Sequence, residues 1–178
     1  MSPVVTLRSP DLASVFGEHF GYVWKSLRRL GIADSDLEDL VHEVFLRVHA
    51  RLHEYDPARP MRPWIFAFAC RVAVEHRRRA RHRLEIGGVE TDPPDPRPLA
   101  DMQLADAEER ALFKAALEAL DVERRAVLVL HHVDGVPVAE IAHALEIPVN
   151  TAFSRLRLAR AQLANAVKML GKREVRRG

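Results

Sequence analysis

Along almost the whole chain apolar residues recur every three or four positions. That spacing puts them on one face of an α-helix, and no stretch alternates as a half-buried β-strand does. Leu12, Val15, Phe16, Phe20, Val23, Leu27 and Leu30 make the apolar face of a first helix, which Gly31 stops. Asp34 or Ser35 suits the cap of a second helix, because a short side-chain oxygen accepts from the free N–H groups of the first turn. Its apolar face runs through Leu37, Leu40, Val41, Val44, Phe45, Val48 and Leu52. His53 to Arg62 holds Pro57 and Pro60 and reads as a loop. Pro63 fits the first turn of a third helix, where its missing N–H costs nothing. Trp64, Ile65, Phe68, Val72 and Ala73 follow at helical spacing. Trp64, Ile65 and Phe68 are expected in the core, where large side chains remove much apolar surface from water.

The period fails at GGVETDPPDPRPLAD, residues 87–101. Pro93, Pro94, Pro96 and Pro98 among acidic and small residues build no core and read as a semi-extended linker. Helical spacing resumes from Leu104 to Leu120, with Leu112, Ala116, Leu117 and Leu120 as the stripe. Asp121 suits the cap of the next helix, which contains Arg125, Val127, Leu128 and Leu130. Asp134-Gly135 is a turn signal. A short helix from Val138 to Leu145 is broken at Ile147-Pro148, and Asn150 or Thr151 caps a last helix that runs to about Leu170. The expected fold is all-α: two small helical domains, residues 1–85 and 102–178, joined by the proline-rich linker 86–101.

Two helices joined by so short a break form a helix-turn-helix, whose second helix enters the DNA major groove. Small Ala139 and Ala142 allow close approach, and Ile141, Leu145, Ile147 and Leu156 supply buried contacts. Glu146 stands in the turn where glycine is frequent. On a helical wheel Ala152, Leu156, Ala159, Leu163 and Leu170 fall on the inner face. Ser154, Arg157, Leu158 and Ala161 point away, where side chains reach base edges, and Phe153 falls at the edge. Thr151, Arg155 and Arg160 lie at the flanks or the N-terminus, where phosphate contacts are natural.

Composition removes other classes. Of 178 residues one is a cysteine, Cys70, which excludes an intramolecular disulfide scaffold and fits a reducing compartment. No apolar run approaches the ~18 residues that span a bilayer. The first ten residues lack the basic-then-apolar order of a signal peptide, so a cytoplasmic location is expected. GxGxxG and GxxxxGK[ST] are both absent, as is a nucleophile turn, and neither a cofactor nor catalysis is expected. His49 and His53 are four apart, as helical zinc ligands can be, but HExxH is absent and no cysteine pair completes a set, so no metal is expected.

Formal net charge is only +2, from 27 Lys and Arg against 25 Asp and Glu. The sum conceals sorting. From Arg59 to Arg83 eight arginines stand against Glu75 alone, net +7, and from Asn150 to the end eight cations stand against Glu174 alone, again net +7. The run Arg77, Arg78, Arg79, Arg81 and Arg83 suits a helix C-terminus or a phosphate-facing patch. Asp34, Asp36, Glu38, Asp39 and Glu43 form an acidic stretch with no Lys or Arg among them, suited to a basic protein partner.

Two segments carry a family resemblance. DLEDLVHEVFLRVHARLHEYDPARPMRPWIFAFACRVAVEHRRRARHR resembles the second conserved region of bacterial RNA polymerase sigma factors, and ALEALDVERRAVLVLHHVDGVPVAEIAHALEIPVNTAFSRLRLARAQL their fourth. The order and the absence of a middle domain resemble the small extracytoplasmic-function (ECF) group. The resemblance implies a factor that binds core polymerase and directs initiation through the −10 and −35 promoter elements. Asp36, Asp39, Leu40, Glu43, Val44 and Arg47 would dock on the coiled coil of the largest polymerase subunit, with the flap region as a further partner surface. His42 stands where the family usually has Gln. Tyr55, Arg59, Arg62, Arg71, Arg78 and Arg79 would hold the −10 element. Thr151, Phe153, Ser154, Arg155, Arg157, Leu158 and Arg160 would meet the −35 element, with Arg157 the candidate for a hydrogen bond to a base edge. An anti-sigma factor is an implied partner. The alternatives are a stand-alone helix-turn-helix regulator that binds DNA without polymerase, and a helical hydrolase with a histidine–carboxylate site.

Overall fold

The computed structural model describes residues 11–87 and 114–175, and every element among them is helical. The chain divides into two compact units, Met1–His76 and Arg77–Gly178. Apart from residues 86 and 87, the expected linker lies outside the described residues, as does the expected helix from Leu104 up to residue 113.

In the first unit, α1 (Leu12–Arg29) starts at Asp11, whose carboxylate accepts from the Ser14 amide at 3.1 Å and the Ser14 hydroxyl at 2.8 Å. It ends as expected at Gly31, which takes φ +88°. The Gly31 amide donates to the Arg28 carbonyl at 3.0 Å and that of Ile32 to the Leu27 carbonyl at 3.1 Å, the paired bonds of a Schellman motif. A 3₁₀ turn, Asp34–Asp36, leads into α2 (Leu37–Arg51), and a second, Leu52–Glu54, follows it. Neither Asp34 nor Ser35 caps α2. The Asp34 carboxylate pairs with Arg28 at 3.0 Å, and Ser35 donates to Asp36 at 3.3 Å. A nearby cation holds an exposed carboxylate that a helix end would otherwise recruit.

α3 (Met61–Gly87) starts two residues before Pro63, which is buried in its first turn. The core of this unit joins Val15, Val23, Leu27 and Leu30 of α1 and its C-cap to Leu37, Val41, Val44, Phe45 and Val48 of α2 and to Ile65, Phe66, Ala69, Val72 and Ala73 of α3. From Ile65 to Cys70 every α3 residue is buried, more than the periodic pattern marks. Trp64 departs from expectation. It is half-buried, its ring between those of Tyr55 at 5.1 Å and Phe68 at 4.9 Å.

In the second unit, residues 114–118 are helical (α4), and α5 (Val122–His132), α6 (Val138–Ala144) and α7 (Val149–Val175) follow. Asp121 caps α5 as expected, accepting from the Arg124 amide at 2.8 Å. α7 packs on both α5 and α6. Ala116, Leu120, Ala126, Val127, Leu130, Ile141, Ala142, Ala152, Leu156 and Ala159 are buried; Ala139 is exposed, so only Ala142 serves close approach. Asn150 and Thr151 lie inside the first turn of α7 rather than capping it, since the Ala152 amide already donates to the Pro148 carbonyl at 3.1 Å. Arg125 is buried and donates to the Leu120 carbonyl at 3.2 Å; its burial pushes the guanidinium pKa down to about 10, which leaves it charged at neutral pH.

The turn between α6 and α7 repeats the motif at the end of α1 with a different residue. Glu146 takes φ +56°, its amide donates to the His143 carbonyl at 3.1 Å, and that of Ile147 donates to the Ala142 carbonyl at 2.9 Å.

Candidate nucleic-acid interface

Burial of Ala152, Leu156 and Ala159 fixes the rotation of α7 and so decides what it presents. Phe153 is 56% exposed, and Ser154 and Arg157 are exposed beside it. Thr151 and Leu158 are half-buried. The structure thus brings Phe153, Ser154 and Arg157 onto one outward surface, and Phe153 lies further out than its place on the wheel suggests. Val149, exposed at the start of α7, joins this surface; the expected cap one or two residues later had hidden it.

Two flanking cations are held by α5. Arg155 donates to Glu123 at 2.8 Å. The Arg160 Nε donates to His132 Nε2 at 3.0 Å, which needs a free lone pair there and hence a neutral imidazole. Burial, the Arg160 cation and neighbouring His131 all hold the His132 pKa below its ordinary value. His131 is half-buried and its Nδ1 lies 3.1 Å from the Val136 carbonyl.

In the first unit Asp56-Pro57-Ala58-Arg59 forms a β-turn. The Arg59 amide donates to the Asp56 carbonyl at 3.0 Å, and the Ala58 amide donates to Asp56 Oδ1 at 2.9 Å. Tyr55 donates its hydroxyl to the Arg59 carbonyl at 2.5 Å, and its partial burial, with Asp56 nearby, pushes its pKa up. The Arg62 guanidinium lies over the Tyr22 ring at 5.5 Å and that of Arg71 over Phe68 at 5.3 Å. Arg78 and Arg79, which belong to the second unit, are exposed. At about 100° per residue, Arg62 projects from the opposite side of α3 to Arg71. Tyr55 and Arg59 come together, while Arg62 and Arg71 do not share one face.

On α2 the residues expected to meet the polymerase differ in exposure. Leu40 is 6% exposed and Val44 fully buried, so both belong to the core of the unit. Asp36 sits 3.1 Å from His76 Nε2. Glu43 and Arg47 pair with each other and Arg47 with Glu75. Asp39 is exposed, and with His42, Leu46 and His49 it forms one outward stripe at helical spacing. Leu46 is 71% exposed, and the sequence reasoning missed it. The signal was there: Leu46 is a large apolar residue off the apolar face.

Among the described residues no group of three or more His, Cys, Asp and Glu is placed to hold a metal, and no helix is long and apolar enough to cross a membrane. Cys70 is buried.

A helix-turn-helix unit whose second helix presents Phe153, Ser154 and Arg157 outward, following a helical unit with an acidic helix, defines a two-unit protein of the helix-turn-helix class. Residues 15–83 match the family described as Sigma-70 region 2, and residues 110–163 match Sigma-70, region 4. The ECF RNA polymerase sigma factor SigL of Mycobacterium tuberculosis is 31% identical over 161 residues, covering 90% of each chain. The RNA polymerase sigma factor CnrH of Cupriavidus metallidurans is 31% identical over 152 residues, covering 79% of this chain and 78% of that one. The fold is shared with the sigma factor RpoE of Bartonella quintana, solved with the anti-sigma factor NepR (TM-score 0.70, 20% identity, 89% of this chain and 97% of that one). It is also shared with CnrH solved with the cytosolic domain of CnrY (TM-score 0.59, 23% identity, 89% and 88%). The chain belongs to the ECF sigma factors: it is an RNA polymerase initiation factor that directs promoter-specific transcription.

Proposed function

We propose that α7 reads the −35 element through Phe153, Ser154, Arg157 and Leu158. The observation that carries this is the outward placement of Phe153, Ser154 and Arg157 opposite buried Ala152, Leu156 and Ala159, with half-buried Leu158 beside them. Arg157 supplies a fork of donors suited to guanine, Phe153 an apolar contact for a thymine methyl, and Thr151, Arg155 and Arg160 meet phosphates. The loop 55–60, with Tyr55 and Arg59, and the α3 residues Arg62, Arg71, Arg78 and Arg79 hold the −10 element. Since Arg62 and Arg71 diverge around the helix, they serve different parts of the strand path. Asp39 and Leu46, with Asp36, Glu43 and Arg47 behind them, form the surface for the coiled coil of the largest polymerase subunit, and the helix-turn-helix unit meets the flap region. The protein works in the cytoplasm with polymerase and catalyses nothing itself. RpoE was solved with the anti-sigma factor NepR and CnrH with the cytosolic domain of CnrY, which supports an anti-sigma partner for this chain.

Run-off transcription with core polymerase and a genomic template library tests this reading. Start sites sharing one −10/−35 pair are expected, with Arg157→Ala relaxing the requirement at one −35 base. A free protein that binds a palindromic site tightly and starts no transcription with core polymerase would mark a stand-alone regulator instead.

A further inference from the structure

The loop 55–60 is built as a rigid unit, and one residue does most of the building. Asp56 occupies the first position of its β-turn and Pro57 the second, the placements that favour a turn: Pro57 presets φ, and an Asp carboxylate accepts from the amide two residues on. Asp56 makes three contacts of this kind. Its carbonyl accepts from the Arg59 amide at 3.0 Å, its Oδ1 accepts from the Ala58 amide at 2.9 Å, and its Oδ2 lies 3.5 Å from the Arg59 Nε. The turn is then fastened to the body of the unit. The Tyr55 hydroxyl bonds the Arg59 carbonyl at 2.5 Å, the Tyr55 ring packs on Trp64 at 5.1 Å, and Trp64 packs edge-on against buried Phe68 at 4.9 Å. Tyr55 is thereby held against Trp64, and Arg59 is aimed through both its backbone and its side chain.

We infer that Asp56 is a positioning residue for base recognition at the −10 element. It touches no base. It fixes the Asp56–Arg59 turn, and through it the places of Arg59 and of the Tyr55 ring, before the strand arrives. The inference rests on the assignment of loop 55–60 to the −10 element. An unstacked base meets a loop already in its bound shape, and the conformational freedom that binding would otherwise remove is absent from the start. Asp56 is exposed, so its replacement leaves the core of the unit untouched.

The test is transcription by holoenzyme reconstituted from core polymerase and variants of this protein, on templates carrying all four bases at each −10 position. Asp56→Asn keeps the turn's side-chain acceptor and loses the charge; Asp56→Ala loses both. The expected result is a base preference flattened about tenfold for Asp56→Ala and close to wild type for Asp56→Asn. Affinity for core polymerase and Tm are expected to be unchanged in both. A uniform loss of output with an unchanged preference, or no change, in Asp56→Ala overturns the inference. Equal flattening in both variants assigns the effect to the charge and overturns the role of the turn. Exchange of residues 55–60 for a Gly/Ser loop separates the two levels: if that exchange leaves −10 preference intact, the assignment of the loop itself falls.

Discussion

Arg47 on α2 and Glu75 on α3, twenty-eight positions apart, are joined by two hydrogen bonds of 2.8 and 2.6 Å, and Glu43 accepts from the same Nη2 at 2.5 Å. The Glu75 bonds, with the carboxylate charges, hold Arg47 firmly protonated against its partial desolvation. Two carboxylates on one cation fix α2 against α3, and the group serves the fold of the first unit before it serves any partner.

Removing Arg47 leaves two carboxylates 32 positions apart in sequence without their shared cation. Arg47→Ala is expected to destabilise the first unit by about 1 kcal/mol, discounted for solvent because both partners are partly exposed. A double-mutant cycle of Arg47→Ala with Glu75→Ala, read by urea unfolding, measures the coupling. Additive effects would mark the pair as decorative.

Leu46 has no fold to hold together. Leu46→Asp is expected to leave Tm within about 1 °C and to weaken core-polymerase binding by about 1–2 kcal/mol, as the loss of an apolar anchor does. Binding assays against purified core polymerase, with Leu40→Ala as a variant that loses stability instead, distinguish a contact from a core position.

Glu146 and Gly31 occupy the same left-handed position in two copies of one helix-ending motif, and only Gly31 suits it. A side chain there costs about 1 kcal/mol, so Glu146→Gly is expected to raise the stability of the second unit by up to that amount. Thermal unfolding checks it. DNA affinity is expected to hold, since Glu146 lies off the reading face of α7.

Both units are expected to weaken under mild acid. Burial, chiefly, sets the His132 pKa below its ordinary 6.5, and burial lowers that of His19 against the opposing charge of Glu18. The unfolded chain therefore takes up these protons first. Stability is complete above about pH 7, where both states are neutral, and falls as pH drops through the unfolded value. His132→Gln, which keeps an acceptor for Arg160, is expected to flatten the dependence of Tm on pH between about 5 and 7. An unchanged slope would exclude His132 as a source.

The helical period located elements well where a local rule acted alone. Asp121 caps α5 because nothing competes for it strongly enough to displace the cap, and Gly31 ends α1 because only glycine takes that backbone freely. Asp34 failed as a cap because Arg28, six residues earlier, takes its carboxylate. Leu40 and Val44 are instructive. They stood in the apolar face of their helix and in a docking set at once, and the structure places both in the core, where the period alone put them. The Arg47 network was not legible, since Glu75 is distant in sequence and only packing brings it near. Nor was the organisation of loop 55–60, although Asp56-Pro57 carried its turn signal openly.

On the −35 reading, the bond between Arg155 and Glu123 has an ionic consequence. Glu123 already occupies the guanidinium that a backbone phosphate would claim, so DNA binding there is an exchange of anions. As the phosphate gives up a counterion, the released carboxylate takes one back. Promoter affinity is therefore less sensitive to ionic strength than a tally of arginines on α7 implies.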